Sequence, residues 1–304
     1  MYYLRRLLFM VPVLLIITFL TFALLRIAPG GPFDKDREPA SPEIKKMMRA
    51  KYHLDDPFYL QYGRYVRDLC RGDLGPSTQY RDHSVNDIVA GALPVSLTLG
   101  LIAFLFAQGV GIPLGFYTAV RRGQWGDYIG SFIALLTFCI PSLIIGPVLI
   151  MIFALKLGWL PPGLWGDVSH AILPMIALGL YYSGRIARLF REGMTEVLQQ
   201  PFITAARAKG MSEAQLLWKH AFRLGVLPVL SYSGPMLADV LTGSFVVERV
   251  FGLPGIGIFV VTSVENRDYS MTMGLTLLYA VLLLVMNLLV DFAYTLLDPR
   301  VKYE

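Results

Sequence analysis

Long apolar runs alternate along this chain with shorter polar stretches rich in arginine. Six runs are long enough to cross a bilayer: Leu7–Ile27, Pro94–Val120, Tyr128–Leu155, His170–Leu189, Val226–Val247 and Ser270–Leu297. A helix rising about 1.5 Å per residue needs roughly 20 residues to cross about 30 Å of hydrocarbon. Backbone in lipid must satisfy its hydrogen bonds internally, so runs of this length are expected as helices. Several are a few residues too long, which tilt would absorb. Pro113, Pro141, Pro147, Pro174, Pro228 and Pro235 fall inside the runs. Each removes a backbone donor and is expected to bend its helix, for packing or for gating.

The polar connections give an orientation. Arg5 and Arg6 precede the first run, and Arg121 and Arg122 follow the second. Arg185, Arg188, Arg191, Arg207, Lys209, Lys219 and Arg223 cluster at and beyond the end of the fourth, and Arg300 and Lys302 follow the sixth. The short opposite loops hold only Lys156, Arg249 and Arg267. The basic side therefore reads as cytoplasm, with both termini inside. The first run has about 21 residues and no small-x-small cleavage site after it, so it reads as a retained helix rather than a signal peptide. Arg26 at its far end can reach the headgroups.

The expected organisation is an N-terminal transmembrane helix (1–28), an extracytoplasmic segment (29–93), a five-helix core (94–297) and a cytoplasmic tail (298–304). In the outer segment Ser41–Pro42–Glu43 opens a helix to about Tyr52, and Asp56–Pro57 repeats the signal for a helix to about Leu69. Gly72, Gly75 and Pro76 then mark turns. Within the core lies a cytoplasmic loop, 190–225. Pro201 opens a short helix, Phe202–Lys209, with Phe202, Ala205, Ala206 and Lys209 on one shallow face. Gly210 is placed to end it in the left-handed region, and Ser212 caps a second helix to about Arg223 with Gln215 completing a capping box. This helix–glycine–helix elbow is either a basic interfacial connector or a docking knob for a cytoplasmic protein.

Asp239 stands near the middle of the fifth run. A carboxylate there costs about 2.5–3.5 kcal/mol to insert, so it should face the bundle interior or a water path. Ser231, Pro235, Asp239 and Thr242 recur at helical spacing and make one polar stripe, expected to line a pore or to meet a structural partner. Glu248 and Arg249 follow at the outer mouth, as a gate, a partner contact or a plain helix end. Asp291, about two turns from the end of the last run, suits a bond to a neighbouring helix. Gly111 and Gly115 form a small-x3-small pair suited to helix packing.

Composition narrows the function classes. The chain of 304 residues is 55% apolar and 16% charged, with mean hydropathy +0.55. Ordinary globular chains are about 45–50% apolar and about 25% charged, so both disorder and a soluble fold are disfavoured. Two cysteines, Cys70 and Cys139, make no disulfide scaffold, and their expected places on different levels leave each a lone thiol. The net charge of +5 is explained by the loops and does not call for nucleic acid. No G-x4-G-K-[ST] loop is present, so no ATP site is expected in this chain. His53, His83, His170 and His220 are scattered and form no metal pattern. No nucleophile and base pair up as a membrane hydrolase would need, so the chain reads as a non-enzyme.

Thr204–Ala205–Ala206–x3–Gly210, followed by Val226–Leu227–Pro228, resembles the EAA loop of permease subunits in bacterial ABC importers. Thr204 stands where that pattern begins with Glu, so an acidic contact at this position is not implied. Further stretches resemble the peptide and nickel branch of the family: Ala28–Pro29–Gly30–Gly31–Pro32, Leu54–Asp55–Asp56–Pro57, Gly72–Asp73–Leu74–Gly75–Pro76–Ser77 and Phe138–Cys139–Ile140–Pro141–Ser142. So do Thr242–Gly243–Ser244, Glu248–Arg249–Val250–Phe251–Gly252–Leu253–Pro254–Gly255–Ile256–Gly257, Asp268–Tyr269 and Asp291–x2–Tyr294–x3–Asp298–Pro299–Arg300. The resemblance spans essentially the whole chain and is nearest to the permeases of oligopeptide importers. It implies an all-α type I importer fold with six transmembrane helices in a bacterial inner membrane. It implies a homologous second permease, two cytoplasmic ATPases carrying ATP and Mg, an extracytoplasmic solute-binding protein and a peptide substrate. Thr204, Ala205, Ala206, Arg207, Lys209 and Gly210 would then couple to an ATPase. Ser231, Asp239 and Thr242 would line the pore, and Glu248 and Arg249 would gate its outer mouth or touch the binding protein. Dipeptides, nickel, haem or oligosaccharides are alternative cargoes, and a membrane scaffold is the reading from another class.

Overall fold

The computed structural model describes residues 2–27, 47, 55–80, 83–241 and 245–297, and every described regular element is helical. In chain order these are α1 (Tyr2–Ile27), α2 (Phe58–Leu69), α3 (Val85–Val120), α4 (Trp125–Cys139), α5 (Ser142–Lys156), α6 (Val168–Leu198), α7 (Pro201–Ala208), α8 (Glu213–Gly225), α9 (Leu227–Leu241), α10 (Phe245–Phe251), α11 (Ile256–Glu265) and α12 (Tyr269–Leu297). The expected helix over 41–52, Thr242 of the polar stripe and the tail 298–304 lie outside the described residues.

By length and apolarity α1, α3 and α12 can each cross a membrane, and the number rises to six if the bent pairs α4–α5, α8–α9 and α10–α11 each count as one span. One expectation needs correction. The third run is not one helix: α4 and α5 meet at 98°. Pro141 clashes with a helical residue before it, and Ile140 accordingly takes an extended conformation (φ −83°, ψ 119°). Pro141 then serves as the cap of α5 instead of bending a continuous helix. Pro147 follows inside α5, and the last seven residues of that helix, Ile150–Lys156, widen to π-helical turns. Pro113, by contrast, sits in α3 without interrupting it. The fourth run becomes a 31-residue helix, α6, that is not among the apolar spans. Polar positions dilute it, and its walls are covered by protein: Leu173, Ala177, Ile186, Phe190 and Met194 are buried.

The chain forms two compact units. One comprises Tyr3–Pro94 and Gly255–Val281, the other Val95–Pro254 and Leu282–Glu304. In the first, α2 turns an apolar edge to α1. The Phe58 and Tyr62 rings lie 5.1 and 5.5 Å from the Phe22 ring, and the Tyr62 hydroxyl donates to the Leu15 carbonyl at 3.1 Å. The loop after α2 is fixed by polar bonds. Asn86 bridges Leu74 N–H (2.9 Å) and Gly72 C=O (2.7 Å), and the buried Asp268 accepts from the Ser77 hydroxyl and from Met271 N–H (3.1 Å) in the first turn of α12. A small core of Val85, Ala92, Ile256, Met271 and Leu275 closes this unit.

In the second unit α6 is the centre. Its neighbours approach through glycine, because a side chain would collide. A Cβ on Gly111 of α3 would lie 2.7 Å from Ile186, and one on Gly115 would lie 2.9 Å from Phe190. The pair read as a packing motif is one. Asp127 in the first turn of α4 is 5% exposed and takes the Arg191 guanidinium in a two-pronged bond of 2.7 and 2.8 Å. It also accepts from Gly123 N–H and the Ser131 hydroxyl, so the buried carboxylate is fully engaged.

Candidate functional site

The elbow is built locally. Gln200 is extended before Pro201, which opens α7 where no amide hydrogen is needed. Gly210 adopts φ +82°. Its N–H bonds the Arg207 carbonyl (3.0 Å) while Met211 N–H bonds the Ala206 carbonyl (3.3 Å), the paired bonds of a Schellman stop. A Cβ at Gly210 would meet nothing within 4 Å, so the glycine is required by the backbone angle and not by crowding. Ser212 then caps α8 by accepting from Gln215 N–H at 3.4 Å.

One buried side chain holds α7 down. Ile203 is 0% exposed and belongs to the core, with Ala206 packed partly against it. Phe202, Thr204, Ala205, Lys209 and Gly210 face outward, Phe202 with 43% of its surface exposed. Of the expected face, Ala206 therefore turns inward and the remainder outward. Arg207, which the resemblance places in the ATPase contact, is held by Glu213 of the same chain in a fork of 2.5 and 3.1 Å across the glycine. That bond raises the guanidinium pKa and lowers the Glu213 carboxyl below its ordinary value.

Longer contacts fix the elbow to the bundle. Trp218 of α8 stacks on Phe116 of α3 at 4.8 Å and on Phe222 at 5.3 Å. At the end of α8 Gly225 lies so close to α6 that a Cβ on Gly193 would sit 2.6 Å from its carbonyl oxygen. Ile203, Trp218 and the Asp127–Arg191 pair were not singled out from sequence. Only the acid in the first turn of α4, suited to a helix start, was a signal to follow.

The second constellation surrounds α9. Ser231, Pro235 and Asp239 are exposed, while Val229, Ser233, Met236, Ala238 and Val240 are buried, so the polar stripe is one outward face. The Ser231 hydroxyl returns to the Leu227 carbonyl at 3.1 Å. The Asp239 carboxylate accepts from the hydroxyl of Tyr182, a buried residue of α6. Aromatic rings extend the patch. Tyr181 lies 5.1 Å from Tyr182 and stacks on Phe138 at 5.4 Å, and the exposed Arg185 guanidinium sits 4.8 Å from the Tyr232 ring. One acid and one base thus share a tyrosine-rich surface. Gln108 of α3 ties the back of α9 by donating to the Ser233 hydroxyl at 2.8 Å.

Glu248 and Arg249 separate. Glu248 is wholly buried and accepts from the Ser96 hydroxyl at 2.7 Å, so it has no surface to offer a partner. A buried carboxylate needs such donors, and α3 supplies one. Arg249 is exposed. Gly252 (φ +63°) ends α10, and Leu164 N–H bonds the Phe251 carbonyl at 2.7 Å to brace this turn. No cluster of three metal-ligating side chains occurs among the described residues.

Known proteins agree with this architecture. A family described as "Binding-protein-dependent transport system inner membrane component" matches residues 111–303. The oligopeptide transport system permease protein OppB of Haemophilus influenzae is 44% identical over 98% of this chain and 98% of its own length. The dipeptide transport system permease protein DppB of Bacillus subtilis is 41% identical over 99% of this chain and 97% of its own. Among solved structures, an inward-facing MetNI methionine ABC transporter chain superposes with TM-score 0.57 at 17% identity, covering 69% of this chain and 96% of that one. A chain of an amino acid ABC transporter gives 0.51 at 19%, covering 68% and 93%. The structural likeness shows a shared all-α permease fold.

Proposed function

This chain belongs to the family of binding-protein-dependent transport system inner membrane components, multi-pass proteins of the bacterial inner membrane, and on that premise we propose that it forms half of the translocation path of a peptide importer. The family is one of transport subunits, not of enzymes. Oligopeptides are the proposed cargo because relatives named for them match end to end. Dipeptides are the second reading, favoured by the 41% identity to DppB.

In this reading the elbow and both termini lie in the cytoplasm. The outward face of α7, with Thr204, Ala205, Lys209 and Gly210, docks one ATPase of a pair that holds ATP and Mg. Ala206, Arg207 and Glu213 keep that face in shape. A homologous second permease supplies the other half of the path, and a solute-binding protein delivers peptide to the outer side, where Arg249 is the exposed member of the gate pair. Ser231, Asp239 and Thr242 line the path.

The observation that carries the path is Asp239. An exposed carboxylate on an apolar helix is costly to leave in lipid, and that cost supports a face that meets water or protein. The test has two stages. The tagged chain is captured from native membranes in mild detergent, after crosslinking in whole cells, and its companions are identified by mass spectrometry. A second permease, ATPases and a solute-binding protein are expected; the chain alone would refute the importer. Uptake of cationic and anionic peptides is then compared in Asp239→Asn. A several-fold change in their ratio is expected, and an unchanged ratio would remove Asp239 from the path.

A further inference from the structure

In the first unit α1, α2 and the start of α12 enclose a cavity of about 280 Å³. Its lining includes Phe22, Arg26, Arg64, Tyr65, Asp68 and Tyr269. Arg26, in the last turn of α1, lies with its guanidinium carbon 5.1 Å from the Phe22 ring centroid and 5.5 Å from that of Tyr269. The two rings hold the cation at the cavity wall, yet no carboxylate pairs with it among the described residues. The Tyr65 hydroxyl is buried and has no hydrogen-bond partner among those residues. A buried hydroxyl without a partner carries an uncompensated desolvation cost, which a bound acceptor would offset. Arg64 brings a second guanidinium, paired with Asp56, and the one acid in the lining, Asp68, is engaged by Arg67 at 3.0 Å.

A cation and a hydroxyl donor thus face one space, beside the buried Gln61 side-chain oxygen, an acceptor. A small anion with several acceptor oxygens satisfies both. Its source is indicated by position. Arg26 closes a membrane-spanning helix, the level at which headgroup phosphates lie. On its other side α2 forms an apolar groove with α1, lined by Leu15, Phe19 and Val66, a surface suited to hydrocarbon. We propose that this cavity binds the phosphate of one membrane phospholipid, with Arg26 as its counter-ion and the Tyr65 hydroxyl as its hydrogen-bond donor.

The importer complex is purified in mild detergent, washed extensively and examined by native mass spectrometry with lipid extraction. One phospholipid per copy of this chain is expected to survive. Arg26→Gln should lower its retention about tenfold, and Tyr65→Phe by a few-fold, as expected for loss of the counter-ion and loss of one hydroxyl donor. Arg122→Gln, an exposed arginine that neither lines the cavity nor pairs with a residue that does, should retain it as the unaltered chain does. Equal retention in Arg26→Gln, or no retained lipid in the unaltered complex, overturns the proposal. Tyr65→Phe keeps the ring and its packing, so it decides the matter should Arg26→Gln fail to fold. Delipidated complex is also titrated with inorganic phosphate, a short peptide and a phospholipid. Rescue of thermal stability by phospholipid supports the site. Rescue by phosphate or peptide without any effect of phospholipid assigns it to a soluble anion and overturns the lipid reading.

Discussion

The elbow and the α9 face differ in how far apart in the chain their partners lie. In the elbow the stop, the cap and the ion pair are made within a few residues: Gly210 to Arg207, Ser212 to Gln215, Arg207 to Glu213. Around α9 the bonds join distant helices: Asp239 to Tyr182 and Ser233 to Gln108. A surface made locally keeps its own shape and needs the bundle only as an anchor. A surface made by convergence has no shape until the bundle is packed. The first suits a part that must be grasped and moved, the second a wall whose chemistry must stay in register.

The strongest challenge to this contrast comes at the strut between α4 and α6. Asp127→Ala would leave Arg191, 30% exposed, without its two-pronged partner, and losing such charge-assisted bonds costs about 1.5–3 kcal/mol. The melting temperature of the purified complex should fall by several degrees, and the elbow should loosen with the bundle. An unchanged melting temperature would make the pair ornamental. Next in size, a side chain at Gly193 must push against the Gly225 carbonyl. Gly193→Leu should therefore displace α8 and cut peptide-stimulated ATP hydrolysis at least about tenfold, the range of a steric misfit worth about 1–3 kcal/mol.

A smaller effect separates local from assembled. Gly210→Ala places a side chain at φ +82° and should cost about 1 kcal/mol. Hydrogen exchange should quicken over 201–215 and stay unchanged along α9; faster exchange in both would show that the elbow is not locally made. The smallest effect is in pH. The folded Glu213 carboxyl titrates below its ordinary value because Arg207 holds its anion. Its contribution is present above the unfolded pKa, near 4.3 for a glutamate, and is lost as pH falls through the lower folded value. Both groups are exposed, so elbow protection should be level from neutrality to about pH 5 and decline slightly in more acid solution. Glu213→Gln should abolish the decline.

Much of the elbow was legible because proline, glycine and serine act through angles and bonds that short spacing reveals. Its anchor was not: Ile203 and Ala206 look alike in a helical pattern, and only the packing of the core decides that Ile203 is the one fully covered. Glu248 and Arg249 are adjacent and equally polar, yet one lies beside Ser96 and the other faces out. The break at Pro141 was open to inference from the restriction on Ile140, but its 98° bend depends on what α5 packs against.

The sequence by itself determined the membrane-spanning runs, the polar stripe of α9, the glycine turn and the absence of a phosphate loop. These follow from hydropathy, helical period and the intrinsic angles of proline and glycine, which act within one or two turns. The tertiary structure alone decided that Tyr182 meets Asp239, that Asp127 clasps Arg191, that Glu248 is buried and that Arg26 and Tyr65 share a cavity. Each of these joins residues on different helices, and such contacts are set by side-chain volume and close approach, which no local period records.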